Sequence, residues 1–256
     1  MDINKFNIIA YIKPTDNFKL FAESLKNSQK IKYLDKTYIS FVEDLPQIYI
    51  QELNKYKNII YKTKVDKFWA QEIKDIISEN PNKHYFMWEE DCHIFNISEF
   101  EKTYENYINN EVDYCFTIDL KWIKRAKHLH SNNIAIEKDN YIYFNWGTKY
   151  AQFCRNSSSD PLVNGAYPVT VSGIYSHNLL VNLLDDILNS NYWKDITSGN
   201  FSHYHNNPKL PHSFEVYPGF WWKEKNNGYG NIEYSAMVSK TQFAEELGER
   251  LIEKIN

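Results

Sequence analysis

The chain has 256 residues, of which 43% are hydrophobic, so it can form one large α/β domain or two small ones. Its formal net charge is -4, and nothing in the sequence resembles a basic arm or the overall positive charge of many nucleic-acid-binding proteins. The three cysteines are widely spaced and form no zinc or disulfide pattern, which favours a cytoplasmic location. No stretch approaches the roughly 18 apolar residues of a membrane span, so we expect no transmembrane segment.

The first hundred residues alternate between strands and helices. The predicted strands are residues 6–12, 37–42, 58–61 and 84–88. The predicted helices are residues 17–28 and 67–78, and each has one apolar face. Because such alternation implies parallel pairing with crossover helices, we predict an α/β fold, a three-layer α/β/α sandwich with a mostly parallel central sheet.

The second half has a less regular pattern. Predicted strands at 114–119 and 141–146 are followed by an extended segment at 168–173 and a helix at 177–188. A last helix is predicted at 236–255. Because the sequence shows no repeat and no linker, we predict a single domain over residues 1–256, with a nucleotide-binding half at 1–100 and an acceptor-side half at 101–256.

The strand at 84–88 is aromatic and apolar, and it runs into three adjacent acids, Glu89, Glu90 and Asp91. In open α/β sheets, ligands bind at the carboxyl ends of the strands. Carboxylates this close repel one another unless a cation or a proton compensates them. A hard divalent ion that also holds a phosphorylated ligand would do so. The alternative is a helix N-terminus, where acids complement the helix dipole.

The order of these features resembles that of a GT-A glycosyltransferase, in particular the family 2-like nucleotide-sugar transferases. In such proteins a second strand ends in an acid, here Glu43 and Asp44, and a later apolar strand ends in a DxD-type motif, here residues 89–91. The resemblance covers about the first 100 residues and extends weakly to residues 171–176. The family usually has Asp where this chain has Glu89.

The resemblance implies a metal site. Asp91, together with Glu89, would hold Mn2+ or Mg2+, and the late His212 would be a further ligand. Such an ion stabilises the negative charge that develops on a departing nucleoside diphosphate.

The resemblance also implies a site for the donor nucleotide. Glu43 or Asp44 would hold the ribose or the base, although an ordinary turn at the end of the strand is the alternative. The remaining predicted nucleotide-binding residues lie at the end of the first strand, in the loop after it and in the acidic run, and they are Tyr11, Lys13, Asp16 and Glu90.

A transfer that inverts the anomeric centre needs a general base for the acceptor hydroxyl. We predict Glu215 for this role, because an aromatic segment bounded by Pro211 and Pro218 would desolvate its carboxylate. Asp186 and Asp185 are the substitutes, although a helical acid is often only part of the solvated face. A retaining mechanism, which needs no enzymic base, stays open.

We therefore predict a metal-assisted glycosyltransferase that moves a sugar from a nucleotide-sugar donor to a glycan or another hydroxyl acceptor. We also expect Glu215, His212 and Trp221 to line the same cleft as Asp91. Three alternatives remain: a metal-dependent phosphohydrolase or nuclease, an inactive glycan- or nucleotide-binding protein, and a phage-type DNA-modifying glycosyltransferase. The net charge of -4 does not favour a nucleic-acid acceptor.

Overall fold

A large sheet with helices on both faces forms the framework. The computed structural model describes residues 5–14, 18–82, 84–89, 92–116, 120–145, 147, 150, 153, 172–189 and 234–246. The strands among them are β1 (Phe6–Ile12), β2 (Leu34–Phe41), β3 (Ile59–Lys62), β4 (His84–Met87), β5 (Cys92–Ile94), β6 (Tyr114–Phe116), β7 (Ala135–Lys138), β8 (Tyr141–Asn145), β9 (Gly173–Ser176), β10 (Ser235–Ser239) and β11 (Ala244–Glu246). The helices among them are α1 (Phe18–Ser28), α2 (Gln47–Leu53), α3 (Trp69–Glu79), α4 (Ile97–Asn109), α5 (Leu120–Ser131) and α6 (His177–Asn189).

Nine of the described strands form one sheet in the order β3-β2-β1-β4-β9-β6-β10-β8-β7. β1 pairs in parallel with β2 and β4, and β2 pairs in parallel with β3. The last residues of these four strands therefore lie at one edge of the sheet, which we call the carboxyl edge, and their first residues lie at the opposite, amino edge. The predicted parallel pairing of the first half is confirmed.

The sheet becomes mixed beyond β4. β9 lies antiparallel between β4 and β6, and β10 pairs in parallel with β6 but antiparallel with β8. Because β9 runs against β4, its first residue, Gly173, lies beside Met87 at the carboxyl edge. Strands from both predicted halves of the chain thus share one sheet.

The two faces of the sheet bury separate apolar clusters. All seven residues of β1 are buried, as expected for a strand that is covered by helices on both sides. Ile73 of α3 and Leu183 of α6 belong to the cluster on one face, and Phe21 of α1 and Phe100 of α4 belong to the cluster on the other. This arrangement confirms the predicted three-layer α/β/α sandwich.

The predicted helix at 236–255 is wrong over the residues that the structure describes. Residues Ser235–Ser239 form β10, and Ala244–Glu246 form β11, which pairs antiparallel with β5. The apolar run from Ala236 to Val238 is buried in the sheet between β6 and β8, so tertiary packing overrides its local helix propensity.

Within the described part of the chain, no helix is both long enough and apolar enough to cross a lipid bilayer.

Candidate functional site

The two strands that were predicted to end in acids lie on either side of β1. β2 ends at Phe41, two residues before Glu43, and β4 ends at Met87, two residues before Glu89. Lys13 directly follows β1, between them. Three residues that are far apart in sequence are thus brought to the carboxyl edge by parallel pairing. Glu89 lies between β4 and β5 and not at a helix N-terminus, whereas Glu90 and Asp91 lie outside the described residues.

Lys13 and Glu43 form an ion pair at this edge. Lys13 Nζ lies 3.1 Å from Glu43 Oε1, and each side chain is 52% exposed. The Val42 amide donates to the Ile12 carbonyl at 3.2 Å, which holds the two loops side by side. An exposed pair of this kind contributes little to stability, so both charges remain accessible to a ligand at small energetic cost.

Asp44 lies next to the segment that follows β3. Lys64 Nζ is 2.9 Å from Asp44 Oδ2, and both side chains are exposed. Two backbone bonds fix this segment against the end of β2: the Lys64 amide donates to the Glu43 carbonyl, and the Val65 amide donates to the Phe41 carbonyl. The loops after β1, β2 and β3 therefore form one polar surface.

Tyr11 lies beneath that surface and is fully buried. Its hydroxyl donates to the Lys67 carbonyl at 2.8 Å, just before α3. Burial, and then the nearby carboxylates of Glu72 and Asp66, raise the pKa of Tyr11 to about 12. The phenol is therefore a neutral donor that holds the segment before α3, and its predicted contact with a nucleotide stays a prediction.

Glu72 of α3 is a buried acid that the sequence analysis did not single out. Its Oε1 accepts from Ser40 Oγ at 2.9 Å and from Lys62 Nζ at 2.7 Å. The Glu72 side chain is 2% exposed, whereas that of Lys62 is 49% exposed. A buried carboxylate needs such partners. In the sequence Glu72 looks like any polar helical residue, and the register that sets Ser40 beside Lys62 has no local signal.

Glu89 is fixed at the end of β4. Ser172, which is buried, donates from Oγ to Glu89 Oε2 at 2.5 Å. The Cys92 amide donates to the Glu89 carbonyl at 3.1 Å, and the buried Trp88 indole donates to the Cys92 carbonyl. Both the backbone and the side chain of Glu89 are thus held by the fold. Ser172 was not predicted, although it falls in the segment to which the family resemblance extends weakly.

Asp185 and Asp186 lie on α6. Asp185 Oδ1 is 2.5 Å from Lys74 Nζ of α3. Tyr234 directly precedes β10 at the amino edge; burial raises its pKa, and Asp113 and Asp186 contribute to the increase. The general-base role of Asp186 or Asp185 stays a prediction.

The remaining predicted site residues lie outside the part of the chain that the structure describes. They are Asp16, Glu90, Asp91, His212, Glu215 and Trp221. Among the described residues, no three His, Cys, Asp or Glu side chains come together as a metal site. Glu89 offers carboxylate oxygens, which suit a hard divalent ion. The metal ligands and the general base therefore stay predictions.

Comparison with protein-family models finds no match, and comparison with curated protein sequences also finds none. Solved structures do match. S. aureus TarS 1-349 gives a TM-score of 0.50 at 9% identity, over 94% of this chain and 60% of that chain. A 4-diphosphocytidyl-2C-methyl-D-erythritolsynthase from Anaerococcus prevotii DSM 20548 gives 0.47 at 14% identity, over 78% of this chain and 83% of that one.

A mannosyltransferase from Pyrobaculum calidifontis, PcManGT, in complex with GDP-Man and Mn2+, gives a TM-score of 0.43 at 10% identity, over 70% of this chain and 46% of that chain. At 9% identity, the likeness to TarS shows the fold alone. The chain also spans less than two thirds of the TarS segment. The GT-A-like fold that the sequence predicted is confirmed, and the activity needs its own argument.

Proposed function

We propose that this protein is a glycosyltransferase that uses a nucleotide-sugar donor and a divalent metal ion, Mn2+ or Mg2+, to glycosylate a hydroxyl acceptor. One observation carries the proposal: a GT-A-like sheet brings Lys13, Glu43, Asp44 and Glu89 to its carboxyl edge. This is the edge at which open α/β sheets bind their ligands.

The polar surface after β1, β2 and β3 suits a nucleotide. The Lys13 and Lys64 ammonium groups are exposed, and each lies beside a carboxylate that keeps it in place, Glu43 and Asp44 respectively. An ammonium group can pair with phosphate oxygens. The carboxylates can accept hydrogen bonds from ribose hydroxyls or from base N–H groups.

Glu89 would bind the metal ion together with Asp91. When bound, the ion would stabilise the negative charge that develops on the departing diphosphate. Ser172 and the backbone bonds around Glu89 hold its carboxylate at the end of β4 before any ligand arrives. A fixed ligand loses less conformational freedom on binding than a free one.

For an inverting transfer, Glu215 remains our proposed base, and its role would be to remove the proton of the acceptor hydroxyl. Two flanking prolines restrict the backbone on either side of it, at 211 and 218. Glu215→Gln should then abolish sugar transfer and leave donor binding intact, which is the pattern of a lost transition-state interaction.

The first experiment measures thermal unfolding with UDP, GDP and CDP, and with UDP-GlcNAc and GDP-mannose, each with and without Mn2+ or Mg2+. A ligand that binds the native state raises the unfolding temperature by mass action. We expect at least one nucleotide to stabilise the protein, and to do so only when metal is present. The absence of any stabilisation across the panel would contradict the proposal.

Asp91→Asn tests the metal ligand directly. We expect this variant to keep the unfolding temperature of the wild type and to lose the metal-dependent stabilisation by nucleotide. Asp35→Asn is the matched control, because Asp35 is an exposed acid at the start of β2, at the amino edge. Unchanged nucleotide affinity in Asp91→Asn, with and without EDTA, would refute the assignment.

Product analysis separates the alternatives. Release of free sugar from a nucleotide-sugar indicates an active donor site, whereas binding without hydrolysis or transfer indicates an inactive binding protein. Metal-dependent cleavage of DNA, with no nucleotide-sugar turnover, would indicate the nuclease instead.

A further inference from the structure

The side chains of Glu89 and Ser172 meet although 83 positions separate them in the sequence. Ser172 directly precedes β9, and the register of β9 on β4 places the next residue, Gly173, beside Met87. The Ser172 hydroxyl donates to Glu89 Oε2 at 2.5 Å, and Ser172 is 1% exposed. A buried hydroxyl on a carboxylate forms a short, charge-assisted hydrogen bond, which is stronger than a neutral one.

The backbone beneath this bond is tightly packed. A Cβ atom at Gly173 would lie 2.2 Å from Tyr114 Oη and 2.4 Å from Tyr114 Cε2, so the ring of Tyr114 occupies the space above the glycine. The same ring packs edge-on against Tyr175, with 4.8 Å between the ring centroids. Gly173, Tyr114 and Tyr175 are all buried. The start of β9, and with it Ser172, therefore has little room to move.

A glutamate at this position has a particular need for such support. Its side chain has one more rotatable bond than that of aspartate, so a freely rotating Glu89 would spread its carboxylate over more orientations. The hydrogen bond from Ser172 selects one of them. Partners of this kind, which hold a binding residue without touching the ligand themselves, commonly set the affinity of a site.

We propose that Ser172 is a positioning residue that orients the Glu89 carboxylate for binding of the metal–nucleotide pair. The inference rests on the proposed function, because it assigns Glu89 to the donor site. It adds that a residue of the acceptor-side half, Ser172 just before β9, orients the carboxylate of a residue in the nucleotide-binding half, Glu89.

Calorimetry of nucleotide binding in the presence of Mn2+ tests the proposal. The probe is whichever of UDP, GDP or CDP stabilises the wild type most. We expect Ser172→Ala to weaken Mn2+-dependent binding by about tenfold or more, the usual effect of losing such a partner. Ser172→Thr keeps the hydroxyl and should stay within about threefold of the wild type, because the hydrogen bond to Glu89 is retained.

A double-mutant cycle with Glu89→Gln distinguishes positioning from a general structural effect. If Ser172 acts through Glu89, then Ser172→Ala should cause little further loss of affinity in the Glu89→Gln background. If Ser172→Ala does not fold, Ser172→Cys provides the same comparison, because a thiol of similar shape is a much weaker donor.

Ser176→Ala is the matched control. Ser176 lies on the same strand at the amino edge and also donates to a carboxylate, Asp113 Oδ1, at 3.3 Å. Its hydroxyl in addition accepts from the Leu179 amide at the start of α6. This substitution should therefore lower the unfolding temperature and leave nucleotide affinity unchanged.

The outcomes separate the two proposals. A wild type with no metal-dependent nucleotide binding overturns the proposed function, and the role of Ser172 with it. If the wild type shows metal-dependent nucleotide binding and Ser172→Ala binds the nucleotide with equal affinity, only the proposed role of Ser172 is overturned. Additive losses in the double mutant, or a Ser172→Thr variant as weak as Ser172→Ala, also overturn that role.

Discussion

Single buried side chains connect the carboxyl edge to the core, and Tyr11 is the clearest case. Its hydroxyl joins β1 to the segment before α3 through the Lys67 carbonyl. That segment includes Val65, whose amide is bonded to the end of β2. One phenol thus supports the backbone beneath the proposed nucleotide surface. Its pKa of about 12 keeps it protonated, and therefore a donor, well beyond neutral pH.

Tyr11→Phe should destabilise the protein by about 1 kcal/mol at pH 7, since one buried hydrogen bond is lost. Between pH 10 and about 12 the wild type should lose up to about 2 kcal/mol that the variant does not lose. The reason is that tyrosine in the unfolded chain ionises near pH 10, whereas Tyr11 in the folded chain ionises at about 12. Urea unfolding at several pH values measures both effects. A difference in stability that stays constant above pH 10 would contradict the assignment.

Among single residues, the sequence could predict as site residues those that follow the end of a strand. Lys13, Glu43 and Glu89 could be found because parallel strands bring their carboxyl ends to one edge, whatever the distance along the chain. Ser172 and Glu72 could not be found in this way. Their contacts depend on an antiparallel insertion and on the register of β3, and neither has a local sequence signal.

Among the elements, β9 has the most consequence for the site. It enters the sheet between β4 and β6 and runs against both. Ser172 directly precedes it at the carboxyl edge, and β9 can pack there only because Gly173 has no side chain.

Gly173→Ala should destabilise the protein by roughly 1–3 kcal/mol, the usual cost of forcing an extra carbon into a packed core. The added Cβ would lie 2.2 Å from Tyr114 Oη, and the nearby ring atoms leave it no room. Tyr114→Leu should relieve the clash, so the loss in the double variant should be smaller than the sum of the two single losses. Unfolding in urea gives the three values. Purely additive losses would show that the Tyr114 ring does not limit this position.

The sequence did not lead us to predict α4, β10 or β11, and the reason for α4 differs from the reason for the two strands. α4 has signals that could have revealed it: Asn96 Oδ1 accepts from the Glu99 amide at its start, and Phe100, Tyr104 and Tyr107 follow at helical spacing. β10 and β11 lack such signals. The apolar run in β10 is too short for its periodicity to tell a strand from a helix, and only its neighbours in the sheet decide.

Over the whole molecule, both apolar clusters take residues from both predicted halves of the chain. The cluster that contains Tyr11 and Ile73 also contains Leu183 and Val238, and the cluster on the other face joins Phe21 to Met237. The first half was predictable as a parallel α/β unit. It does not end as a separate sheet, however, because β9 pairs with the side of β4 that faces away from β1.

Asp113 connects three strands of the second half at the amino edge. Its Oδ2 accepts from the Ser235 amide at 3.0 Å and from Ser235 Oγ at 2.9 Å, which attaches β10. Its Oδ1 accepts from Ser176 Oγ of β9. Hydrogen bonds to a charged group contribute more than neutral ones, so Asp113→Ala should cost about 2–3 kcal/mol.

Because both apolar clusters contain residues from both halves, the loss of stability in Asp113→Ala should affect the entire sheet. Native-state hydrogen exchange of the β1 amides, which belong to the nucleotide-binding half, should accelerate in Asp113→Ala to the extent set by the global loss of stability measured in urea. Glu23→Ala on α1 is the control: Glu23 is exposed and forms an exposed ion pair with Lys26, so its substitution should change exchange little. If β6, β9 and β10 lost protection while β1 kept it, the halves would unfold separately. Ser172, which directly precedes β9, would then position Glu89 only while both halves were folded, and nucleotide binding should protect the second half more than the first.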